Sequence, residues 1–235
     1  MIQFDKLPLS TRTLHAFSKL NIDFVFQPIY SLKDNTLFAY EALMQPAEGT
    51  VEALFDAYNK KRELHTIELA TFFGATLAYC EKGYDVPFFI NSLPSEVLLP
   101  NEWEIFENYF SKEIRDKIMV QIIEYPEILY MNWNLKKKQL DEKNMIIALD
   151  NYGAGYNDIT TSYIVEPNIV MLDKYMIENI SHDKNVQHTF NKTVEMFHKD
   201  KILVLAKGIE KKEDYDYIKT TKVDYVQGFY LGRPE

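Results

Sequence analysis

Short apolar runs alternate with longer amphipathic stretches along nearly the whole chain, and this pattern limits the possible folds more than any other feature. Within one domain, such alternation is typical of parallel strands that are covered by helices. About eight strand candidates in 235 residues fit a (β/α)8 barrel, although the chain is slightly short for that architecture. An open doubly wound sheet is the structural alternative.

The predicted strands are short, and most of the predicted helices lie between them. Strands are predicted at 24–30, 36–43, 86–92, 118–123, 145–149, 169–172, 202–206 and 223–226. Helices are predicted at 52–80, 103–114, 173–199 and 211–219, and Pro126 marks a position where another helix would begin. The first two strands flank a turn at 33–35 and predict a hairpin, which is an antiparallel pair that a regular barrel lacks.

The composition is that of an ordinary soluble globular protein, with 46% hydrophobic and 26% charged residues. A formal net charge of −9 disfavours broad binding to nucleic acid polymers, because such binding needs Lys and Arg to neutralise phosphates. The single cysteine, Cys80, allows neither an intrachain disulfide nor a cysteine zinc cluster. The N-terminus lacks the pattern of a signal peptide, and no apolar stretch approaches the roughly 20 residues of a membrane helix. We therefore expect a cytoplasmic protein without membrane contacts.

Polar side chains follow most of the predicted strands, at the edge where barrel proteins place their functional groups. They are Glu41, Asn91, Gln121, Glu124, Asp150, Asn151, Asp173, Lys207 and Gln227. Any one of them has an ordinary structural explanation, since an Asp at the end of a strand is often the N-cap of the next helix. Taken together, these side chains favour a single pocket at one end of the barrel.

Five blocks of sequence, in this order, resemble those of the EAL-domain family. They are FQPI at 26–29, YEAL at 40–43, INSLP at 90–94, DNYGAGY at 150–156 and VQGFYLGRP at 226–234. A second Glu-Ala-Leu at 52–54 lies on a predicted helix, and we interpret it as a coincidence. On this resemblance, residues 1–235 are identified as a single EAL-like domain with an N-terminal extension over about residues 1–20. The final barrel helix of the family is expected to be absent.

The resemblance implies a modified (β/α)8 TIM barrel with one antiparallel strand near the N-terminus, and it also implies an activity. Members of the family are bacterial phosphodiesterases that linearise cyclic di-GMP with two Mg²⁺ or Mn²⁺ ions, which activate a water molecule and stabilise charge on the phosphate. Such hard ions need oxygen ligands, largely carboxylates. Glu41, Asn91 and Asp150 match metal ligands of the family, and Glu124 matches a Glu that steadies a nearby loop.

Five other positions depart from the family's pattern. Gln121 and Lys207 stand where the family has metal-binding Glu residues. Asn151 replaces the second Asp of a pair that lies at the metals, and Met171 replaces a Lys that helps to orient the attacking water. Gln45 replaces an Arg that holds phosphate. The resemblance therefore implies a degenerate active site.

These departures change the charge of the site. In the family, the side chains around the two metals together carry a charge of about −5, which balances the metal ions. In a poorly screened pocket, repulsion between like charges at about 4 Å amounts to several kcal/mol. The matching residues here are Glu41, Asn91, Gln121, Asp150, Asn151 and Lys207, with a net charge of −1. We therefore expect no useful hydrolysis of cyclic di-GMP and no metal cofactor. If the chain is active, Mg²⁺ or Mn²⁺ is the expected cofactor.

Lys207 is the substitution with the clearest physical consequence. Its ammonium is expected to replace the missing metals by pairing with Glu41 and Asp150, the remaining acids of the pocket. The alternative is that the side chain extends to solvent at the mouth of the barrel.

Three interpretations of the function stay open. The leading one is a catalytically silent EAL-like domain with a regulatory or protein-interaction role in bacterial cyclic di-GMP-related signalling, acting on an unidentified protein partner. The second is a cyclic di-GMP phosphodiesterase with a rearranged metal site. The third is a metal-independent cyclic di-GMP sensor, because Gln27, Leu43, Gln45 and Gln227 match positions near the family's ligand. A homodimer is a further expectation, since members of the family often dimerise.

Overall fold

A computed structural model describes residues 2–124 and 130–235 of the chain. The strands are β1 (Ile22–Ser31), β2 (Leu37–Pro46), β3 (Phe88–Ser92), β4 (Ile118–Ile122), β5 (Ile146–Tyr152), β6 (Ile169–Leu172), β7 (Leu203–Ala206) and β8 (Tyr225–Val226). The α-helices are α1 (Thr11–Phe17), α2 (Val51–Lys60), α3 (Leu64–Lys82), α4 (Pro100–Tyr109), α5 (Lys112–Arg115), α6 (Tyr130–Glu142), α7 (Ile159–Val165), α8 (Lys184–Lys199) and α9 (Lys212–Ile218). Short 3₁₀ helices cover Phe4–Lys6 and Lys174–Met176.

The strands close into a barrel in chain order. β1 runs antiparallel to both of its neighbours, β2 and β8, whereas the successive pairs from β2 to β8 are parallel. In the turn between β1 and β2, Asp34 Oδ1 accepts a hydrogen bond from the Thr36 backbone N–H, and Asn35 has a φ of 56°. The fold is the expected modified (β/α)8 TIM barrel with one antiparallel strand near the N-terminus, and the open sheet is excluded.

Local backbone conformation divides two of the predicted helices. The predicted helix at 52–80 is α2 followed by α3, because Arg62 has a φ of 60° and interrupts the helical backbone. The predicted helix at 173–199 is a 3₁₀ helix followed by α8, whose first-turn N–H groups donate to the carboxylate of Asp183. The sequence pattern was too coarse to locate either boundary.

Two further differences concern the outer layer. The predicted helix at 103–114 begins earlier, at Pro100, and Phe110 with its extended ψ of 135° separates α4 from α5. α7 was not predicted, and the expected helix start at Pro126 lies outside the described residues. None of the helices in the described ranges combines the length and the hydropathy that a bilayer span requires.

The residues before β1 pack against the rest of the chain. Phe4, Leu7 and Phe17 are buried in the main hydrophobic cluster, and the rings of Phe4 and Phe17 meet edge to face with their centroids 4.7 Å apart. Gly74 of α3 leaves room for the rings of Phe4 and Phe24, because a Cβ at that position would lie 3.0 Å from the first and 2.7 Å from the second. The single domain, its N-terminal extension and the absent final helix stay predictions.

Side chains inside the barrel form an apolar layer and, next to it, a polar layer, because every second residue of a strand points inward. The apolar layer comprises Ile29, Ala39, Phe89, Met119, Ala148, Ile169, Met171 and Leu205. Two positions further along five of the parallel strands, the inward-facing residues are Glu41, Asn91, Gln121, Asp150 and Lys207. The polar layer therefore lies at the carboxyl edge of the parallel strands, where the sequence predicts a pocket.

Candidate functional site

Lys207 lies at the centre of the polar layer, between two carboxylates. Its Nζ donates hydrogen bonds to Asp150 Oδ1 at 2.8 Å and to Glu41 Oε1 at 3.0 Å. The side chains of Lys207, Glu41 and Asp150 are 17%, 4% and 8% exposed, so water screens the three charges only weakly. The Lys207 side chain points inward to the two acids and not to bulk solvent. We call these three residues the charge triad.

Two glutamine amides complete the surroundings of Glu41. Gln121 Nε2 donates to Glu41 Oε1 at 2.8 Å, and Gln227 Nε2 donates to Glu41 Oε2 at 2.7 Å. Both glutamines are almost fully buried. Each carboxylate oxygen of Glu41 therefore has at least one donor, and this is how a buried carboxylate is stabilised in its charged form.

The charge triad shifts the pKa of each of its members. Burial by itself would raise the pKa of Glu41, but Lys207 and the donors Gln121 and Gln227 outweigh it and hold that pKa below its ordinary value. Burial, helped by the neighbouring charge of Glu41, raises the pKa of Asp150 in spite of the contact with Lys207. Burial by itself would lower the pKa of Lys207, but the two carboxylates raise it above its ordinary value. Lys207 is therefore a permanent cation in this site at neutral pH.

Two buried amide oxygens at the site have no hydrogen-bond partner among the described residues, namely Asn91 Oδ1 and Gln121 Oε1. The amide nitrogen of Asn91 donates to the Ala42 carbonyl at 3.4 Å, which leaves the oxygen as the free atom of that side chain. An unpartnered buried acceptor is costly, so each oxygen is a position where a donor would be stabilised.

A cavity of about 690 Å³ opens over the charge triad, within the size range of small-molecule sites. Four residues of the polar layer line it, together with the neighbouring Asn151: Glu41, Asn91, Asp150 and Lys207. From β2 it is lined by Leu43, Met44 and Gln45, of which Gln45 is exposed at the rim. The structure therefore brings all three residues that match metal ligands to one cavity.

A second cavity, of about 310 Å³, adjoins Lys207 and is lined by Gln27, Gln227 and Phe229 among others. Gln27 Nε2 donates to the Gly232 carbonyl at 3.0 Å, so its amide is engaged with the chain itself. The four residues predicted near a ligand are thus divided: Leu43 and Gln45 line the larger cavity, and Gln27 and Gln227 line the smaller one.

Glu124 connects the end of β4 to the loop between β5 and α7. Its Oε1 accepts a hydrogen bond from the Tyr156 backbone N–H at 2.7 Å. Gly155 has a φ of 54°, and a Cβ there would lie 1.6 Å from Glu124 Oε1. This contact is the one that a loop-stabilising role requires, although the role itself stays a prediction.

Two of the predicted site positions have mainly structural surroundings. Met171 is fully buried in the apolar layer, where a flexible thioether fills space between strands. Asp173 caps the following 3₁₀ helix by accepting a hydrogen bond from the Tyr175 backbone N–H at 2.9 Å. For Asp173, the ordinary structural explanation considered at the sequence level therefore applies.

The sequence reasoning missed the residues that α2 contributes to the larger cavity. Val51, Glu52, Phe55 and Asp56 of this helix all line it. Glu52 belongs to the second Glu-Ala-Leu, which was set aside as a coincidence. The available signal was the spacing of Glu52 and Asp56, since residues four apart lie on the same face of a helix.

The EAL domain family model matches residues 11–234 of the chain. The Probable cyclic di-GMP phosphodiesterase PdeG of Escherichia coli (strain K12) is 24% identical over 225 residues, which cover 89% of this chain and 44% of that protein. The Blue light- and temperature-regulated antirepressor BluF of the same organism is 23% identical over 217 residues, which cover 89% of this chain and 53% of BluF. The chain therefore spans about half the length of these curated relatives.

The fold also has a close counterpart among solved structures. A standalone EAL protein from Vibrio cholerae O395, solved in its c-di-GMP-bound form, matches with a TM-score of 0.80 and 21% sequence identity. The match covers 92% of each chain. At this identity the likeness concerns the fold.

Proposed function

We propose that this chain, which belongs to the EAL domain family, is a catalytically silent domain that regulates a protein partner in cyclic di-GMP-related signalling. The observation that carries the proposal is the position of the Lys207 ammonium, within 3.0 Å of both Glu41 Oε1 and Asp150 Oδ1. These two carboxylates are the acids that the family resemblance implies as metal ligands. A tethered cation now neutralises part of their charge.

The residues present do not fit a pair of divalent cations. Gln121 presents its amide nitrogen to Glu41, and Asn91 supplies only a neutral oxygen. Within residues 2–124 and 130–235, no three His, Cys, Asp or Glu side chains are grouped so as to hold a metal ion. A divalent cation at the charge triad would also lie beside an ammonium, and in a poorly screened pocket that repulsion amounts to several kcal/mol.

The group that would orient an attacking water is also missing. Met171 stands at the matching position and is buried among apolar side chains, so it offers neither a charge nor a hydrogen-bond donor. Gln45 stands in place of the phosphate-binding Arg and carries no charge. The proposal therefore rests on the loss of metal ligands, of the water-orienting group and of the phosphate-binding group, and not on one missing metal ligand alone.

A role through protein contacts is in keeping with one of the relatives, since BluF is named an antirepressor. PdeG is named a probable phosphodiesterase, which keeps an enzymatic role as the competing hypothesis. Because the chain spans about half of each relative, the identity of its partner does not follow from these names. A cytoplasmic location and a homodimer stay predictions.

The test is hydrolysis of cyclic di-GMP by the purified protein in the presence of Mn²⁺ or Mg²⁺, with products separated by chromatography. We expect no more linear pGpG than the Glu41→Gln variant produces, because neither protein can assemble the metal site. Conversion well above that variant would overturn the proposal.

A calorimetric titration with cyclic di-GMP, in the absence of divalent metal, distinguishes the proposed regulatory role from that of a cyclic di-GMP sensor. We expect no saturable heat. The cation of the charge triad, Lys207, is already paired with Glu41 and Asp150 and is therefore not available to the phosphates. Saturable binding without turnover would replace the proposed role by that of a sensor.

A further inference from the structure

The larger cavity is acidic in spite of Lys207. The described residues that line it include five carboxylates, Glu41, Glu52, Asp56, Glu124 and Asp150, and one ammonium, that of Lys207. Because Lys207 pairs with both Glu41 and Asp150, it leaves the other three carboxylates unneutralised. Among the described residues, neither Glu52 nor Asp56 makes an ion pair, and both are exposed. Most of the unneutralised charge therefore lies outside the charge triad, which itself keeps a net charge of −1.

Apolar side chains lie beside these carboxylates. Phe24 of β1, Leu43 and Met44 of β2, and Val51 and Phe55 of α2 line the same cavity. Phe24 and Met44 are buried, and the other three are half-buried. A carboxylate rim combined with an apolar wall suits a ligand that carries its charge on an aliphatic stem, because stem and charge are then accommodated separately.

At the inner end of the cavity, the Lys207 ammonium and the Asn91 amide nitrogen already donate to groups of the chain itself. Asn91 lines the cavity, and its Oδ1 is buried without a partner among the described residues. Gln121 Oε1 also lacks a partner within the described ranges, but Gln121 is fully buried behind Glu41 and does not line the cavity. The unsatisfied atom of the lining, Asn91 Oδ1, is an acceptor, so the group that would complete this end of the cavity is a donor and not another anion.

The same observations disfavour a bare metal ion and an anionic diester as ligands of this cavity. A bare metal ion needs several oxygen ligands at about 2.0–2.6 Å, and no such group is formed by the His, Cys, Asp and Glu side chains of the described ranges. An anionic diester would enter past the exposed carboxylates of Glu52 and Asp56, and like charges repel.

We infer that this cavity receives an alkylammonium or guanidinium group on an aliphatic stem, supplied by a Lys or Arg side chain of the partner protein. The choice of a protein as the source rests on the proposed function, whereas the recognition of the cation rests on the lining alone. The charged end donates to Glu52, Asp56 and Asn91 Oδ1, and not to the two acids that already pair with Lys207. The stem packs on the wall formed by Phe24, Leu43 and Phe55.

The experiment is a titration of the isotope-labelled protein, followed by amide resonances, with a blocked Gly-Arg-Gly peptide. The matched probe is the same peptide with citrulline, the neutral isostere of Arg, and agmatine is the free small cation. We expect saturable shifts of Leu43, Val51 and Phe55 with the Arg peptide, and no saturation with the citrulline peptide. Binding of agmatine but not of the Arg peptide would overturn the assignment to a protein side chain.

A charge variant locates the interaction. The double variant Glu52→Gln with Asp56→Asn is expected to weaken binding of the Arg peptide about tenfold, which is the order expected from two partly exposed ion pairs. The control double variant, Glu104→Gln with Glu195→Gln, removes the same charge from side chains that do not line the cavity and is expected to bind unchanged.

Equal binding of the Arg and citrulline peptides, or no saturation with any cationic probe, overturns the inference. Equal weakening by both double variants does so too, because it would show an effect of net charge alone. Hydrolysis of cyclic di-GMP would overturn the proposed function without changing these titrations, so the two failures are distinguishable.

Discussion

Lys207 and Asp150 meet inside the barrel, with Nζ 2.8 Å from Oδ1, although they are 57 positions apart in the sequence. They meet because β5 and β7 end at the same edge and both side chains face inward from those ends. Asp150 is 8% exposed at its side chain, so its charge has little access to water. Removal of one partner of such a pair leaves an uncompensated buried charge, which is more costly than the pair itself is favourable.

Replacement of Lys207 by Met is therefore expected to destabilise the protein by about 3–5 kcal/mol, the range for breaking a buried ion pair. The measurement is the free energy of unfolding from urea denaturation at neutral pH. The control is Lys138→Met, whose side chain is 73% exposed, and which is expected to change stability by no more than about 0.5 kcal/mol. Equal stability of the two variants would contradict the pairing.

His65 gives a prediction about pH. Its Nε2 lies 3.0 Å from Glu102 Oε1 and its Nδ1 lies 3.6 Å from Glu96 Oε2. Hydrogen bonds to Glu102 and then Glu96 raise the pKa of His65 from 6.5 to about 9. Because the folded pKa is raised, the stabilisation is fully present below pH 6.5 and is lost as the pH rises through about 9.

Thermal unfolding of the wild type and of His65→Gln, measured from pH 6 to pH 10, checks this. The wild type is expected to have the higher midpoint at pH 6, and the difference is expected to disappear above about pH 9. A difference that stays constant across the range would show that His65 acts through packing and not through its charge.

Gly155 and Gly49 form a matched pair for testing the Glu124 contact. Both have positive φ, 54° and 77°, so Ala at either site meets backbone strain. At Gly155 a Cβ would also collide with Glu124, whereas at Gly49 nothing lies within 4 Å. Gly155→Ala is expected to cost about 1–3 kcal/mol more than Gly49→Ala in the free energy of unfolding. Equal costs would mean that the loop and Glu124 are not in contact.

Much of the barrel could be predicted from the sequence because strand periodicity is a local property. Inward-facing apolar and polar residues are two positions apart, as in Ala39 and Glu41, so the pattern itself places the polar layer at one edge. The division at Arg62 could not be predicted in this way, because a non-glycine residue with positive φ leaves little trace in a hydrophobic pattern.

The charge triad could be predicted from the sequence, whereas the residues that α2 contributes to the larger cavity could not. The pairing of Lys207 was expected because the sequence motifs fixed which strand ends carry charge. The contribution of Glu52 and Asp56 was missed because the direction in which α2 faces depends on how the helix packs on β2 and α3, which no local pattern records.

Reversal of the charge at Lys207 tests whether this residue alone excludes divalent metal ions. Lys207→Glu places a third carboxylate beside Glu41 and Asp150, near the free Asn91 Oδ1. Without metal the variant is expected to unfold at a lower temperature than the wild type, because three buried carboxylates repel one another. Added Mn²⁺ is expected to raise its thermal midpoint, since hard divalent ions bind carboxylate oxygens. No response to Mn²⁺ would show that other substitutions also prevent binding.

Binding of Mn²⁺ to the wild-type protein, followed by electron paramagnetic resonance with Glu41→Gln as the control, tests the central claim most directly. If Lys207 has replaced the metals, the wild type and Glu41→Gln will leave the same amount of Mn²⁺ free in solution at every concentration. If the wild type instead binds two Mn²⁺ ions per chain, and Glu41→Gln abolishes that binding, the ammonium of Lys207 does not exclude the metals and the domain is equipped for hydrolysis.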